Sequence, residues 1–320
     1  MGGLTLSVNG AKEILGEIRA NVEKVIVGKS DAIDTALICL ACGGHALIED
    51  VPGLGKTTLA SAIARSIDCS FSRLQFTPDV LPSDVTGFTM FDIKTNEKQF
   101  YHGIVMTQVL LADEINRASP KTQSALLQAM QEGQITVDGN TYELPRPFMV
   151  MATQNPVEFA GTYPLPESQL DRFLMCIAMG YPQKGDEVSI LERSKKKVDI
   201  STLGPVTNAQ AVLHLQRSLD QVICTQLIME YIVEIAAKTR EHPDILLGAS
   251  PRASIALMRA AMGRAMLSGR DFVLPDDVQC ILEPVLAHRL VFRTQSFAQS
   301  KTAKTVLDEI IRQVAIPAIG

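Results

Sequence analysis

A glycine-rich turn between a predicted strand and a predicted helix carries the clearest chemistry in the sequence. The apolar run 46–48 leads into this turn, and a helical pattern follows over residues 59–67. This is the strand, loop and helix order of the Walker A motif, in which backbone N–H groups and a helix N-terminus surround a phosphate. We expect Lys56 to reach the β- and γ-phosphates of a nucleotide and the Thr57 hydroxyl to bind Mg²⁺. The predicted phosphate-binding residues are Pro52, Gly53, Leu54, Gly55, Lys56, Thr57 and Thr58.

A pair of acidic residues follows a second buried strand and predicts the metal side of the same site. Asp113 and Glu114 come directly after the apolar run 109–112, as in a Walker B motif. Nucleotide hydrolysis needs Mg²⁺ on the phosphates and a positioned attacking water. We expect Asp113 to hold the Mg²⁺ shell and Glu114 to polarise or deprotonate the water. An apolar run that ends in Asp-Glu is weak alone and becomes a strong signal beside Walker A.

Three further polar residues are candidates for the same reaction. Asn155 lies just past the predicted strand 148–152, where it could orient the water, although Asn before Pro is also a common turn former. Arg172 precedes another strand. Arg252 lies in the first turn of a helix, where a cation is unfavourable and a phosphate partner would explain it. A plain surface arginine is the alternative for each.

Composition limits the class of protein. A chain of 320 residues with 46% hydrophobic content predicts about two domains with large cores. The net charge of −5 argues against a bulk nucleic-acid binder, although a local basic stripe remains compatible with it. Cys39 and Cys42 have redox-like spacing inside an apolar helical pattern, which favours core packing, and reduced thiols fit a cytoplasmic protein. The five histidines lack metal-ligand spacing, and no signal peptide or membrane-spanning run is predicted.

The pattern of elements changes near residue 182. Up to that point apolar strands alternate with helices, which predicts an α/β domain with a parallel sheet over residues 1–182. Two hairpins are predicted within it, at 85–102 and 134–144, and the aromatic residues of the first could form a contact surface or pack on each other. A polar linker is predicted at 183–206, and a smaller all-α domain follows over 207–320.

With these motifs in order, the chain resembles the MoxR family of AAA+ ATPases over nearly its full length. The segment 49–57 is similar to the family's own version of Walker A, which has Asp50 where the general motif has Gly. The segment 110–118 is similar to its Walker B motif, 152–156 to sensor 1, 165–173 to the arginine-finger segment and 248–253 to the sensor 2 helix.

The resemblance implies a P-loop AAA+ core with a C-terminal all-α lid, assembled as a homo-hexameric ring that binds ATP and Mg²⁺ between subunits. Arg172 would act in trans on a neighbour's γ-phosphate, Arg252 would couple nucleotide state to lid position, and Val27 and Gly28 would lie near adenine. Family members are regarded as chaperone-like motors that assemble or metallate protein complexes. They often work with a von Willebrand factor A-domain partner, which would here be a separate chain.

Two alternatives remain open from the sequence. A chelatase-type or helicase-like, DNA-remodelling motor shares the two hairpins, although the acidic balance speaks against DNA. A nucleotide-gated scaffold would bind ATP and recruit a partner without using turnover; Glu114 and Arg172 make this alternative less favoured.

Overall fold

The structure is a computed structural model of the 320-residue chain. It describes residues 6–50, 53–92, 96–154, 161–195, 199–293 and 302–317. Two predicted site residues, Pro52 and Asn155, lie outside the described residues.

Helices and strands alternate in the first half of the described chain. The strands are β1 (Ala46–Glu49), β2 (Phe71–Gln75), β3 (Gly87–Asp92), β4 (Glu97–His102), β5 (Val109–Asp113), β6 (Gln134–Val137), β7 (Asn140–Glu143), β8 (Met149–Gln154), β9 (Met175–Ile177), β10 (Ile245–Leu247) and β11 (Val291–Phe292). The helices are α1 (Val8–Glu23), α2 (Ser30–Ala41), α3 (Lys56–Ser66), α4 (Pro82–Thr86), α5 (Pro120–Glu132), α6 (Glu167–Leu170), α7 (Lys184–Lys195), α8 (Ala209–Ser218), α9 (Gln226–Glu241), α10 (Pro251–Leu267), α11 (Pro275–Cys280), α12 (Leu282–Leu286) and α13 (Ala303–Gln313).

The central sheet has five parallel strands in the order β2-β5-β8-β1-β9. Each neighbouring pair is parallel, so all five carboxyl ends meet at one edge. That edge carries the turn after β1 and the acidic pair after β5, whereas residues preceding a strand lie at the opposite edge. The predicted parallel α/β sheet is therefore confirmed, and its two edges organise the site.

The sheet separates two hydrophobic cores because successive side chains of a strand point to opposite faces. On β1, Ala46 and Ile48 belong to one core and Leu47 belongs to the other. The first core also contains buried residues of α1, α2, α3 and the C-terminal helices, and the second contains those of α5. This double coverage explains the continuous apolar runs seen in the sequence.

Both predicted hairpins are present. β6 and β7 pair across Asp138 and Gly139, whose positive φ angles of 50° and 80° fit a tight hairpin turn. β3 and β4 form the other hairpin, in which Phe88 stacks on Tyr101 at a centroid distance of 5.4 Å. Phe100 stacks on Tyr142 of the neighbouring hairpin at 4.0 Å. Phe88 and Phe91 nevertheless remain about half exposed, at 47% and 52%, so the aromatic residues both pack together and present a surface.

The C-terminal half is helical, as predicted, with three differences in detail. The predicted linker contains α7, which has no buried residue and hence no apolar periodicity to reveal it. The predicted helix 275–290 is divided into α11, α12 and a 3-10 turn, because Pro284 has no N–H to continue the ladder. The short antiparallel ribbon of β10 and β11 lies within the region predicted as entirely helical. The domain boundaries at 182 and 207 stay predictions.

Two histidines inside the fold are paired with neighbouring elements. His45 is buried: its Nδ1 accepts the Val150 N–H and its Nε2 lies 3.0 Å from the Met130 carbonyl. Burial lowers the pKa of His45 to about 4, so the imidazole is neutral. His242 accepts the Asp244 N–H and faces Glu309 of α13 at 3.5 Å, which joins α9 to α13. Cys39 and Cys42 are free and buried, as expected of core residues.

Candidate functional site

The phosphate loop lies at the carboxyl edge of the sheet, between β1 and α3. Gly53 and Gly55 have φ angles of +88° and +87°, a left-handed conformation that favours glycine. Gly55 is also the N-cap of α3, which begins at Lys56, so the open N–H groups of the first helical turn face the loop. The loop therefore has the backbone geometry for an anion, as the sequence predicts for residues 53–58.

Lys56 is half-buried and faces the acidic residues of the neighbouring strand. Its Nζ donates a hydrogen bond to the main-chain oxygen of Asp50 at 2.6 Å. Burial lowers the pKa of Lys56, and the negative charges of Asp50, Asp113 and Glu114 oppose that shift. The structure thus brings the lysine of one motif and both acids of the other into one electrostatic neighbourhood.

Asp113 is held on both of its carboxylate oxygens. Oδ2 accepts a hydrogen bond from Arg73 of β2 at 2.6 Å, and Oδ1 accepts one from the hydroxyl of Thr153 at 2.6 Å. The same Thr153 hydroxyl accepts the backbone N–H of Glu114 at 2.8 Å. Thr153 is buried, and so one side chain at the end of β8 fixes both acidic residues.

Glu114 adopts an uncommon backbone conformation. Its φ angle is +57°, in the left-handed region that non-glycine residues rarely occupy and that concentrates at functional sites. Its carboxylate accepts a hydrogen bond from Arg117 at 3.1 Å and lies 3.5 Å from the amide of Gln75. These two donors hold the carboxylate in place at the carboxyl edge.

Sequence reasoning assigned no role to four of these residues: Arg73, Gln75, Arg117 and Thr153. Two of them had a usable signal. Arg73 and Gln75 alternate along β2 and so project from one face, and β2 pairs in register with β5, with Gln75 opposite Asp113. The other two contacts are visible only in the folded chain.

A cavity of about 560 Å³ adjoins the phosphate loop on the side of α7. Its lining includes Val27 and Thr58, two residues predicted to bind the nucleotide, and Ile190 and Arg193 of α7. Gly28 is in close contact with α7: a Cβ at this position would lie 2.0 Å from a carboxylate oxygen of Asp186. Apolar side chains and polar rims of this kind suit a flat heterocyclic base.

Arg172 lies at the other edge of the sheet. It precedes β9, and the backbone N–H of Leu174 donates to His45, the residue before β1. The phosphate loop begins at Asp50, four residues beyond Ala46, so roughly 13 Å of strand rise separates the two levels. Arg172 is partly buried, and its Nε has no hydrogen-bond partner within the described ranges. The structure therefore does not bring Arg172 to the phosphate loop of its own chain.

Arg252 lies in the first turn of α10, whose N-terminus contacts the segment that carries Arg172. Its helix α10 is capped by Ser250, whose hydroxyl is 3.2 Å from Oδ2 of Asp171. Oδ1 of Asp171 accepts a hydrogen bond from Arg289 at 2.8 Å, and Arg289 also donates to the Phe173 carbonyl at 2.6 Å. Arg289 is 6% exposed, so this is a buried ion pair between the C-terminal helical region and the segment that carries Arg172. The exposed Arg252 thus shares an edge with Arg172.

The arrangement divides into two halves. At the carboxyl edge, residues 53–58 with Asp113 and Glu114 can bind a phosphate chain, offer hard oxygen ligands to Mg²⁺ and place a base. At the opposite edge, Arg172 and Arg252 offer cations that suit a phosphate. Asn155 stays a prediction because it lies outside the described residues.

Comparison with known proteins agrees with this architecture. Residues 45–175 match the family model described as "ATPase family associated with various cellular activities (AAA)", and residues 237–315 match the AAA lid domain. The chain is 49% identical to the uncharacterized protein YeaC of Bacillus subtilis (strain 168), over 95% of both chains. It is 37% identical to Chaperone MoxR1 of Mycobacterium tuberculosis, over 97% of this chain and 86% of that protein.

A solved structure shows the same fold. The crystal structure of a protein from Cytophaga hutchinsonii, described as a candidate ATPase, superposes with a TM-score of 0.89 at 37% identity and covers 96% of both chains. The two proteins therefore share their fold over nearly the whole length of both chains. The chain belongs to the MoxR family of AAA+ ATPases.

Proposed function

We propose that this protein hydrolyses Mg²⁺-bound ATP at sites formed between identical subunits of a ring, and that it uses the turnover to remodel protein complexes. The observation that carries the proposal is the separation of the site into two halves at opposite sheet edges. Since Arg172 cannot reach its own phosphate loop, a second copy of the chain is needed to bring the halves together. Such a head-to-tail contact generates a ring when its rotation closes, and we propose a homo-hexamer.

At the phosphate loop, the chain's own groups would divide the work as follows. The backbone N–H groups of residues 53–58 would hold the β-phosphate, and Lys56 would exchange the Asp50 carbonyl for a phosphate oxygen. Thr57 and Asp113 offer the oxygen ligands that Mg²⁺ prefers, and the ion would neutralise charge on the phosphates. Glu114 would accept a proton from the attacking water, with Asn155 proposed to orient the same water.

The neighbouring subunit would supply the positive charge for the transition state. Arg172 would act there as an arginine finger, a role that contributes about 10³–10⁵ in rate in related phosphoryl transfers. Ser250, two residues before Arg252, contacts Asp171 beside Arg172, and we propose that Arg252 binds the same neighbouring phosphate. This adds a partner to the expectation that Arg252 couples nucleotide state to lid position.

The base would occupy the cavity beneath α7. Val27 lines the cavity, the adjacent Gly28 lies against Asp186 of α7, and Thr58 connects the cavity to the phosphate loop. Ile190 of α7 closes the cavity from the other side. We propose that α7 contacts the base directly, since Ile190 and Arg193 line the cavity.

The use to which the protein puts ATP hydrolysis is proposed from its family membership. A relative that is 37% identical is named Chaperone MoxR1, which supports action on proteins. The exposed Phe88, Met90 and Phe91 of the β3–β4 hairpin support a contact with an apolar client. We propose assembly, maturation or metallation of a protein complex, with a separate von Willebrand factor A-domain protein as partner. Within the described residues no helix is long and apolar enough to cross a bilayer.

A trapping experiment tests both turnover and its use. Glu114→Gln protein should bind ATP with wild-type affinity, show hydrolysis lowered by about 10² or more, and accumulate in complexes. Lys56→Ala protein is the matched control because it should lose ATP binding itself. Affinity purification of both from native lysate, followed by mass spectrometry, should enrich a von Willebrand factor A-domain protein or a complex subunit only with Glu114→Gln and ATP.

Other results would redirect the proposal. Unchanged hydrolysis in both variants would refute the assignment of the site. Enrichment of nucleic-acid proteins, together with DNA-stimulated hydrolysis, would favour the helicase-like alternative. Full partner assembly by Glu114→Gln protein without turnover would favour a nucleotide-gated scaffold.

A further inference from the structure

Asp50 occupies the position at which the general phosphate loop has glycine, and its side chain makes specific contacts. Its Oδ2 accepts the backbone N–H of Met179 at 2.8 Å and that of Gly180 at 2.6 Å. Its main-chain oxygen accepts the ammonium of Lys56 at 2.6 Å. One residue therefore contacts both the phosphate-binding lysine and the segment that follows β9.

The segment bound by Asp50 leads directly to α7. Gly180 has a φ angle of +60°, a left-handed conformation that redirects the chain after β9. Four residues later α7 begins, and it reaches Gly28 through Asp186 and the end of α1 through Arg193. The position of residues 179–180 thus sets where α7 starts over the base cavity.

The two contacts of Asp50 respond differently to a phosphate. The Lys56 ammonium binds a neutral carbonyl, and an anionic phosphate would be a stronger partner for it. The hydrogen bonds from Met179 and Gly180 go to a carboxylate and are charge-assisted, so they would persist while the loop around Asp50 rearranges. A displacement of the Asp50 backbone would then move residues 179–180 with it.

We propose that Asp50 is a positioning residue that couples the occupancy of the phosphate loop to the position of α7 and the lid that follows it. The proposal rests on the ATP hydrolysis proposed above. The alternative is that Asp50 only shapes the phosphate loop. The two interpretations predict different effects of replacing Asp50 with glycine. If Asp50 only shapes the loop, the consensus residue Gly is neutral or favourable there; if it couples, Gly removes the connection.

Asp50→Gly is therefore the decisive variant. We expect ATP affinity, measured with a fluorescent analogue, to stay within about threefold of wild type, while kcat falls about tenfold or more. Hydrogen exchange should show faster exchange of the Met179 and Gly180 amides. It should also show that the protection of α7 gained on adding ATP in the wild type is lost in the variant. Asp50→Asn keeps an acceptor oxygen without the charge. Its kcat should lie between that of the wild type and that of Asp50→Gly.

Lys29→Ala is the matched control. Lys29 donates to the carbonyls of Gly180 and Tyr181 at 2.8 Å and 2.9 Å, so it holds the same segment without touching the phosphate loop. Its kcat should stay within about threefold of wild type. An equal loss of kcat in Lys29→Ala and Asp50→Gly would mean that rigidity of the segment matters, and it would overturn the coupling.

The other outcomes of these experiments also test the coupling proposed for Asp50. Wild-type kcat and wild-type protection of α7 in Asp50→Gly would overturn the proposal, and so would loss of ATP binding in that variant. If Asp50→Gly does not fold, as judged by circular dichroism, an Asp50→Asn kcat equal to wild type overturns it. If the wild type itself fails to hydrolyse ATP, the proposed function fails, while the ATP-dependent protection of α7 still tests the connection.

Discussion

Two inactive variants should restore each other's activity when mixed. Lys56→Ala removes the phosphate-binding lysine at the carboxyl edge, and Arg172→Ala removes the cation at the opposite edge. About 13 Å of strand rise separates the two levels within one chain, and in the proposed ring each hydrolytic site takes its loop from one subunit and its arginine from the next. Each variant alone should lose about 10³-fold or more in kcat.

The expected gain follows from how subunits combine. In a ring assembled at random from equal amounts, a site is intact when an Arg172→Ala subunit provides the loop and a Lys56→Ala subunit provides the arginine. Each choice has a probability of one half, so about a quarter of the sites are intact, far above the residual activity of either variant alone. Plotted against the mixing ratio, the activity should be a symmetric curve with its maximum at equal amounts.

The assay is steady-state phosphate release at constant total subunit concentration, after the variants have been dissociated and reassembled together. Energy transfer between subunits labelled on the exposed Cys280 would verify exchange. Verified exchange without recovered activity at any ratio would refute the reasoning, because it would mean that Arg172 serves its own subunit or the fold. Arg252→Ala should complement Lys56→Ala in the same way if it shares that edge.

Three further predictions follow from buried contacts. Arg289→Ala leaves the partly buried Asp171 without its cation, so urea denaturation should show a loss of roughly 3 kcal/mol in unfolding free energy, and an unchanged midpoint would contradict the ion pair. The pKa of His45 is about 4 in the folded chain, below its ordinary value of 6.5, so the unfolded chain binds this proton first and stability falls as pH drops from about 6.5 towards 4. This group should contribute about 2 kcal/mol between pH 7 and pH 5, and His45→Gln should show a smaller difference in melting temperature between those pH values. Gly28→Ala should weaken ATP binding because its Cβ collides with Asp186, and Asp186→Ala in the same chain should restore part of the affinity; no effect in a fluorescence titration would contradict the contact.

The sequence predicted the parts of the fold that rest on local patterns. The apolar runs of β1, β5 and β8 are continuous because each strand is covered on both faces, and that signal is strong. The turn at Asp138 and Gly139 and the Ser119 cap of α5 depend on neighbours in the chain, so they too were predictable.

The parts that were missed depend on contacts between distant residues. Arg289 binds Asp171 across 118 residues, and no local pattern marks that pair. The contact of Thr153 with Asp113 becomes visible only once β8 is known to flank β5. Helix α7 was missed because it buries no residue and therefore has no apolar stripe. The separation of Arg172 from the phosphate loop likewise needed the strand order, which places β9 beside β1.

Strand β9 is three residues long, and contacts at its two ends connect the two edges of the sheet. Beyond its carboxyl end Asp50 binds residues 179–180, and before its other end Arg289 binds the segment that carries Arg172. In the proposed ring, this strand and the Asp50 hydrogen bonds would connect one nucleotide to the arginine that serves the adjacent one. Head-to-tail contacts give a ring a polarity, so a change that starts at one nucleotide would reach one neighbour by this route and not the other. ATP hydrolysis at successive sites would then proceed around the ring in one direction. That direction would be set by the orientation of β9 within each subunit.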